Sequence, residues 1–304
     1  MKIIFSLFIL TLFHSSLLFS QIAVSNDGSQ PDNSAMLEVK STDRGLLLPR
    51  MTNTQMNAIP SPAAGLMVFN TTLNLLYWFN GTSWDMGGNR DGKSCGTVTY
   101  GGKTYNSVII GVQCWMTENL NIGTAIPGSQ NQADNGVIEK YCAYDNQPNC
   151  DTYGGVYQWS EMMNYTGSST SNPSGRQGIC PSGWHVPSDA EFCQVESYLD
   201  ATVLCGSTGW RGTDGGGKMK ETGNGYWTIP NAGATNASGF KALPGGDRGS
   251  SGSFYDLRYY AYFWSATGTK TGNAWYRAMS FDNAQVDRHA LSENYGFSIR
   301  CCKD

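Results

Sequence analysis

Apolar residues occur in short runs that are separated by polar and glycine-rich segments along most of the chain. Residues 36–40 alternate apolar and polar side chains, which predicts a half-buried strand. Residues 45–50 form a short apolar run that a proline interrupts, and we interpret it as a second strand. Residues 65–70 and 75–80 are two more apolar runs around a short turn, so they predict a hairpin.

The longer C-terminal part repeats this pattern and adds one clear helix. Strands are predicted at residues 97–100, 103–105, 107–110, 113–116, 261–265, 274–280 and 295–301. Ser188 and Glu191 form a capping box, and apolar residues then recur at helical spacing to about Asp200. This order predicts an α+β domain with few helices, short strands and long loops.

The first twenty residues have the composition of a secretory signal. Met1 and Lys2 precede a mostly apolar run, residues 3–19, which is shorter than the roughly 20 residues that span a bilayer. Ser20 before Gln21 supplies a small residue for cleavage. We therefore expect a signal peptide at 1–20 and a secreted or cell-surface protein, not stably inserted in the membrane after cleavage. An uncleaved anchor is the alternative.

Composition narrows the class of partner. The net charge is −4 and only 14% of residues are charged, which provides no basic surface for nucleic acid. The chain has 37 glycines, 9 tryptophans and 16 tyrosines, a mixture typical of many turns with aromatic rings in or beside them. All nine cysteines follow residue 94, and this concentration behind an apolar leader indicates an oxidising compartment.

The segment before the cysteines resembles the N-terminal modules of secreted proteins from Bacteroidetes-type bacteria. The resemblance lies in LEVKSTDRGLLLPRMTNTQMNAIPSPAAGLMVFNTTLNLLYWFNGTSW, a string similar to tail-fibre-like modules. It implies that residues 21–90 are a small, hairpin-containing segment for presentation or homo-oligomerisation. A plain hairpin that packs on the main domain is the alternative.

Residues 95–304 resemble the Fibrobacter succinogenes major paralogous domain. The motifs that carry the resemblance are IIGVQCWMTENL, TYGGVYQWSEM, CPSGWHVPSDAEF, PNAGATNASGFKALPGG, YFWSATGT, NAWYRAMSF and YGFSIRCCKD, in the family's order. The resemblance implies a C-type-lectin-like fold with disulfide-tied loops, related to formylglycine-generating enzymes. It implies a secreted domain and does not define a biochemical role.

This resemblance also implies which cysteines form disulfides with one another, because their spacing alone does not determine the pairs. In a lectin-like fold the region before the first helix meets the final strand, which favours Cys180 with Cys301. The remaining expected pairs are Cys95 with Cys114, Cys142 with Cys150, and Cys193 with Cys205. Cys302 is then left over, as a free thiol or a link to another chain. Because adjacent strand residues point to opposite faces, we expect that Cys301 and Cys302 do not both face the core.

Aromatic residues gather in the glycine-rich stretch after the helix. Rings in polar loops can stack on sugars while nearby charged groups bond to hydroxyls. The predicted ligand-binding residues are Trp210, Tyr226, Trp227, Asp247, Arg248, Tyr255, Asp256 and Arg258. Phe254, Tyr259, Tyr260 and Tyr262 lie in the same stretch, and packing of these rings under their own loops is the alternative.

Signatures of catalysis or of a metal site are weak. His185 and His289 stand in separate motifs without zinc-ligand spacing, and a hydrogen-bonded structural histidine beside Trp184 is the default interpretation of the first. Residues 147–149 are similar to a calcium-lectin tripeptide, but their position before the helix favours a plain turn. Adjacent cysteines at 301 and 302 do not suit a copper site. We therefore expect no cofactor, with calcium as a weakly supported exception.

Several carboxylates are available, but nothing in their spacing pairs them as a glycosidase requires. They are Glu118, Glu161, Asp189, Glu191, Asp256, Asp282 and Asp287. The leading hypothesis is a secreted, non-catalytic module that binds surface glycans or protein partners. The alternatives are a glycan-active or thiol- or metal-dependent enzyme, and a structural surface or fibre protein.

Overall fold

A computed structural model describes residues 21–71, 75–86 and 92–304. The chain divides into two compact units between residues 87 and 88. The predicted signal peptide and most of the predicted turn at 71–74 lie outside the described residues. Within the described residues, no helix combines the length and the apolar character needed to cross a membrane.

The part of the first unit that the structure describes contains two small sheets and one short helix. Its elements are β1 (Ile22–Ser25), β2 (Leu37–Lys40), β3 (Arg50–Met51), α1 (Asn53–Asn57), β4 (Met67–Asn70), β5 (Leu75–Phe79) and β6 (Trp84–Met86). β1 and β2 pair in parallel, and the second sheet has the order β3-β4-β5-β6. Met56, Val68 and Tyr77 form its small core. The predicted hairpin is present as β4 and β5.

The strand predicted at residues 45–50 is wrong for all but its last residue, since only Arg50 and Met51 are extended in a ladder. Leu46 and Leu47 are 64% and 78% exposed. The apolar run at residues 45–50 predicts a buried strand, but Leu46 and Leu47 are exposed in this unit.

The second unit begins with a meander and a loop region. Its first elements are β7 (Thr97–Tyr100), β8 (Lys103–Ile110), β9 (Gln113–Met116), β10 (Thr124–Ala125), β11 (Glu139–Lys140), a 3-10 turn (Ala143–Asp145), α2 (Gln147–Tyr153), β12 (Tyr157–Gln158), α3 (Trp159–Met162) and β13 (Trp184–His185). The tripeptide interpreted as a turn, residues 147–149, is instead the first turn of α2, with Pro148 in the position that helices tolerate.

The main helix and the remaining strands follow. They are α4 (Asp189–Leu199), β14 (Gly209–Arg211), α5 (Gly215–Met219), β15 (Asp247–Arg248), β16 (Phe254–Tyr255), β17 (Tyr260–Gly268), β18 (Asn273–Ser280), β19 (Val286–Ser292), β20 (Gly296–Phe297) and β21 (Cys302–Lys303). The capping box of Ser188 and Glu191 is present at the start of α4, as predicted. The unit is mainly sheet with few helices, which agrees with the α+β prediction.

In the described residues, this unit has one two-stranded sheet, β10-β11, and three larger sheets. The strand orders of the larger sheets are β13-β21-β9-β8-β7, β14-β19-β18-β17 and β12-β20-β15-β16. One core lies around Trp264, Phe297 and Ile299, and a second lies around Trp115, Phe240 and Phe263.

Buried ion pairs attach α4 to the β14-β19-β18-β17 sheet. Arg277 of β18 is fully buried, lies 2.7 Å from Asp189 and also bonds Glu196. Arg288 of β19 forms a 2.7 Å pair with the other oxygen of Asp189. A pair of this kind is costly to break because one charge would remain buried without its partner.

Two strand predictions near the C-terminus need correction. The strand predicted at 295–301 is regular only at Gly296–Phe297, and the chain leaves the ladder before β21. β19 was not predicted, because Asp287, Arg288 and His289 interrupt its apolar pattern.

Four disulfides join the pairs that were expected: Cys95–Cys114, Cys142–Cys150, Cys180–Cys301 and Cys193–Cys205. Cys302 is free. The expectation that Cys301 and Cys302 do not both face the core is wrong, because they are 0% and 2% exposed. They point to opposite faces, but each face is covered by a separate core.

Candidate functional site

An open cleft of about 430 Å³ lies where the β15–β16 hairpin meets β17, β18 and β20. We call it the aromatic cleft. Its lining residues are Asp247, Gly249, Ser250, Ser251, Tyr255, Asp256, Tyr262, Tyr276, Leu291, Tyr295 and Phe297. It combines four tyrosines with two carboxylates. Among the predicted ligand-binding residues, it brings together Asp247, Tyr255 and Asp256.

The β15–β16 hairpin positions one wall of the cleft. Asp247 pairs with Tyr255 across the ladder, and the ring of Tyr255 is 51% exposed. Gly246 has φ +66°, and a Cβ there would overlap the carbonyl oxygen of Tyr255. Only glycine suits both the backbone conformation and the close approach. The position of Asp247 therefore depends on the residue before it.

Asp256 follows the hairpin in a left-handed conformation, with φ 62°. A non-glycine residue rarely adopts this conformation, and such residues often occur at functional sites. Its Oδ2 accepts a 2.8 Å hydrogen bond from the hydroxyl of Tyr262. The carboxylate is thereby fixed at the edge of the aromatic cleft.

Tyrosine rings from β17, from β18 and from the bend before β20 build the opposite wall. Tyr262 of β17 stacks on Phe297, with centroids 4.8 Å apart and an angle of 15°. Tyr276 of β18 meets the same Phe297 ring edge-to-face at 5.0 Å, and Tyr295 lies 6.2 Å from it. Since Phe297 is fully buried, it anchors the partly exposed tyrosines to the core.

The two carboxylates differ in their environment. Asp247 is 7% exposed. Burial, and then the negative charge of Asp256, raise the pKa of Asp247 to about 7. A like charge nearby disfavours the ionised form of Asp247. Asp247 is therefore a carboxyl group that can carry a proton near neutral pH.

Three predicted ligand-binding residues lie at the surface outside the lining of the cleft. Trp210 of β14 is 39% exposed. Tyr226 is 41% exposed and meets Tyr153 edge-to-face at 6.2 Å. Arg258 donates a hydrogen bond to the carbonyl of Asn224. They remain predicted binding residues outside the lining of the aromatic cleft.

Trp227 and Arg248 are corrected by the structure, because neither presents a surface to a ligand. Trp227 is 0% exposed, and its indole nitrogen donates to the carbonyl of Ala242. Arg248 is 1% exposed and stacks over Tyr141. Its guanidinium donates hydrogen bonds to surrounding oxygens. Those oxygens belong to Gly128, Gln130, Asn131 and Asn294. Trp227 belongs to the core around Trp115 and Phe240, and Arg248 connects β15 to the neighbouring loops.

Most of the other candidate carboxylates have structural partners. Glu161 accepts hydrogen bonds from the backbone nitrogen of Glu139 and from the hydroxyl of Tyr165. Glu118 binds the backbone and side chain of Asn106. Asp282 accepts from Ser280, and Asp287 contacts His289.

His185 lies in a separate, buried cluster. Its Nε2 is 2.7 Å from Oε1 of Glu191, and its Nδ1 is 2.6 Å from Oδ1 of Asp304. Burial opposes protonation of His185, but Glu191 and Asp304 outweigh it and raise its pKa. Cys302 pairs with His185 across β13 and β21, and burial raises the pKa of its thiol. Sequence spacing missed this cluster, because its members come from separate segments.

The second unit is therefore a disulfide-bonded, mainly β domain of the α+β class with an aromatic cleft. Residues 108–303 match the Fibrobacter succinogenes major domain, and this match covers more than half of the chain. The chain belongs to that family. Residues 25–99 match the phage tail like trimerisation region. No curated protein and no solved structure matches the chain. The two family matches and the disulfides are consistent with an extracellular surface or structural protein.

Proposed function

We propose that this protein is a secreted, oligomeric surface protein whose C-terminal domain, residues 95–304, binds a glycan in the aromatic cleft. The observation that carries the proposal is the convergence of Tyr255, Tyr262, Tyr276 and Tyr295 on one open cleft beside Asp247 and Asp256. Tyrosine faces stack on the apolar faces of sugar rings, and carboxylates accept hydrogen bonds from sugar hydroxyls. Calcium is not needed for this mode of binding.

The arrangement also supports a C-type-lectin-like fold for this domain. Cys180 lies just before the strand that leads into α4, and its disulfide joins it to Cys301 next to the last strand. β13 pairs with β21 at the same place. The meeting of the segment before the main helix with the final strand is the feature that the resemblance to this fold implies.

A glycan-array screen followed by titration tests the binding proposal. The decisive variant is Tyr255→Ala, because this ring is exposed and its loss leaves the core intact. A stacking loss of about 0.5–1.5 kcal/mol corresponds to a roughly two- to thirteenfold fall in affinity. Tyr259→Ala is the matched control, since Tyr259 is 45% exposed and packs on Phe281 outside the cleft lining. Absence of binding, or equal losses in both variants, would contradict the proposal.

A glycoside hydrolase is the second candidate, and the pair of carboxylates favours it. Asp247 with its raised pKa has the character of a general acid, and Asp256 is the second carboxyl group in the same cleft lining. Incubation with the glycans that bind, followed by analysis of reducing ends, separates the two functions. Release that is lost in Asp247→Asn would identify an enzyme. Intact glycan after long incubation supports the binding module.

The N-terminal segment, residues 21–90, supports assembly into a trimer. β1 and β2 pair in parallel, with Ile22 opposite Leu37 and Val24 opposite Val39. Opposite residues of a pair share a face, so these four side chains form one apolar face. They are 41% to 60% exposed. Three copies of this chain would cover such faces, in line with the trimerisation region that the segment matches. Residues 1–20 would direct export as a cleaved signal.

A further inference from the structure

We propose that His185, Glu191 and Cys302 form a buried zinc site. The ligand atoms of these three side chains lie within 4.8 Å of one another, and all three residues are buried. They come from β13, the first turn of α4 and β21, so one ion would connect three elements. Imidazole nitrogen, thiolate sulfur and carboxylate oxygen are the donor types that Zn²⁺ binds in proteins.

Neighbouring groups already hold His185 and Glu191 by hydrogen bonds, as the groups around metal ligands do. Nδ1 of His185 bonds the carboxylate of Asp304 at 2.6 Å, which leaves Nε2 directed toward the cluster. A carboxylate on the far nitrogen orients metal-binding histidines and raises their basicity. Oε2 of Glu191 accepts hydrogen bonds from the backbone nitrogens of Ser174 and Ser188. Its other oxygen, Oε1, is the one that faces Nε2.

The charge of the three ligands and the reduced state of the Cys302 thiol favour a bound metal ion over a shared proton in this cluster. Zn²⁺ bound to one thiolate and one carboxylate leaves no net charge on the buried ligand set, and binding releases the thiol proton and the proton shared by His185 and Glu191. Cys302 is free in a unit whose other eight cysteines form disulfides. Coordination would keep this thiol reduced in an oxidising compartment.

The geometry needs a small adjustment. Nε2 of His185 and Oε1 of Glu191 are 2.7 Å apart, a hydrogen-bond distance. Two such ligands on one tetrahedral zinc lie about 3.3 Å apart, from metal–ligand distances of about 2.0 Å. Rotation of the Glu191 side chain within its capping box supplies the difference. Water completes the coordination as the fourth ligand.

The zinc content of the full chain, expressed with zinc and dialysed, tests the proposal. We expect about one zinc per chain, and a thiolate-to-metal charge-transfer band when Co²⁺ replaces it. Cys302→Ser should lose the ion and the band. Glu191→Gln should weaken binding while keeping the helix cap, because glutamine also completes a capping box. Asp304→Asn should weaken binding about tenfold.

His289→Gln is the matched control, because the side chain of this histidine is 54% exposed and contacts only Asp287 in the ion-pair network. It should keep full zinc content and the cobalt band. Background zinc in the folded wild-type chain, with no band after cobalt is added, would overturn the proposal and leave a proton-bridged cluster. Equal zinc loss in His289→Gln would also overturn it. Near-ultraviolet circular dichroism establishes that each variant is folded.

Discussion

The hydroxyl of Tyr262 donates a 2.8 Å hydrogen bond to Oδ2 of Asp256, while the ring of Tyr262 stacks 4.8 Å from Phe297. One side chain thus connects a carboxylate at the rim of the aromatic cleft to the hydrophobic core. Burial and the charge of Asp256 raise the pKa of Tyr262 well above its usual value, so this hydroxyl stays a donor at any ordinary pH.

Tyr262→Phe should keep the stacked ring and remove only this bond. Because one intramolecular hydrogen bond is lost, we expect the free energy of unfolding to fall by about 1 kcal/mol, and glycan affinity to fall as Asp256 loses its fixed position. Urea unfolding and titration calorimetry measure the two effects. Tyr260→Phe is the control, since this ring stacks on Tyr262 and its hydroxyl bonds no described residue. A similar loss in Tyr260→Phe would refute the assignment.

The raised pKa of Asp247 should make the stability of the protein depend on pH. Its pKa rises from an unfolded value near 3.8 to about 7 on folding, so the folded state holds the proton more tightly. This contribution to stability is fully present below pH 4 and is lost as pH rises through 7. Asp247→Asn, which mimics the protonated group, should match wild type at pH 4 and exceed its stability at pH 8 by roughly 2–4 kcal/mol.

Denaturant unfolding between pH 4 and pH 8 provides the measurement for Asp247. Asp151→Asn is the control because Asp151 is exposed, and its curve should follow wild type at each pH. A stability difference for Asp247→Asn that stays constant across this range would show that Asp247 ionises normally in the fold.

The sequence predicted local structure where one short segment determines it. The helix α4 is an example, because Ser188 and Glu191 cap it and its apolar residues repeat at helical spacing. β19 could not be found in this way. Arg288 is buried there by its ion pair with Asp189, 99 residues away in sequence, and by stacking 3.6 Å over the ring of Trp275 on the neighbouring strand.

In the candidate site, too, the sequence was sufficient only for residues that lie close together along the chain. Asp247, Tyr255 and Asp256 lie close together in one glycine-rich stretch, so residue type and neighbourhood were enough to select them. Tyr276 lies in β18 and Tyr295 in the bend before β20, and only the tertiary structure brings them to the aromatic cleft. Residue type could not separate a buried Trp227 from an exposed tryptophan, because burial depends on packing between segments.

The long-range disulfide should contribute more to stability than the short one. Cys180 and Cys301 are 121 residues apart, and Cys142 and Cys150 are 8 apart. Restricting the unfolded chain gives about 5 kcal/mol for the first and roughly 2.5 kcal/mol for the second. We expect Cys180→Ala/Cys301→Ala to unfold at a clearly lower denaturant concentration than Cys142→Ala/Cys150→Ala.

The two disulfide variants control for each other, since all four cysteines are at most 3% exposed and lose similar packing. Equal midpoints and equal slopes in guanidinium would show that loop length does not determine the contribution. A larger loss for the short loop would point to local packing around α2 instead.

The apolar face of β1 and β2 should determine the oligomeric state. Replacing Ile22, Val24, Leu37 and Val39 together by serine removes the exposed apolar surface and little of the buried core. Light scattering should give about three chain masses for the wild type and one for the variant. The matched control places serine at four exposed apolar positions of the second unit, Val112, Val137, Leu204 and Ile229. It should remain trimeric, and a monomeric wild type would rule out assembly through this face.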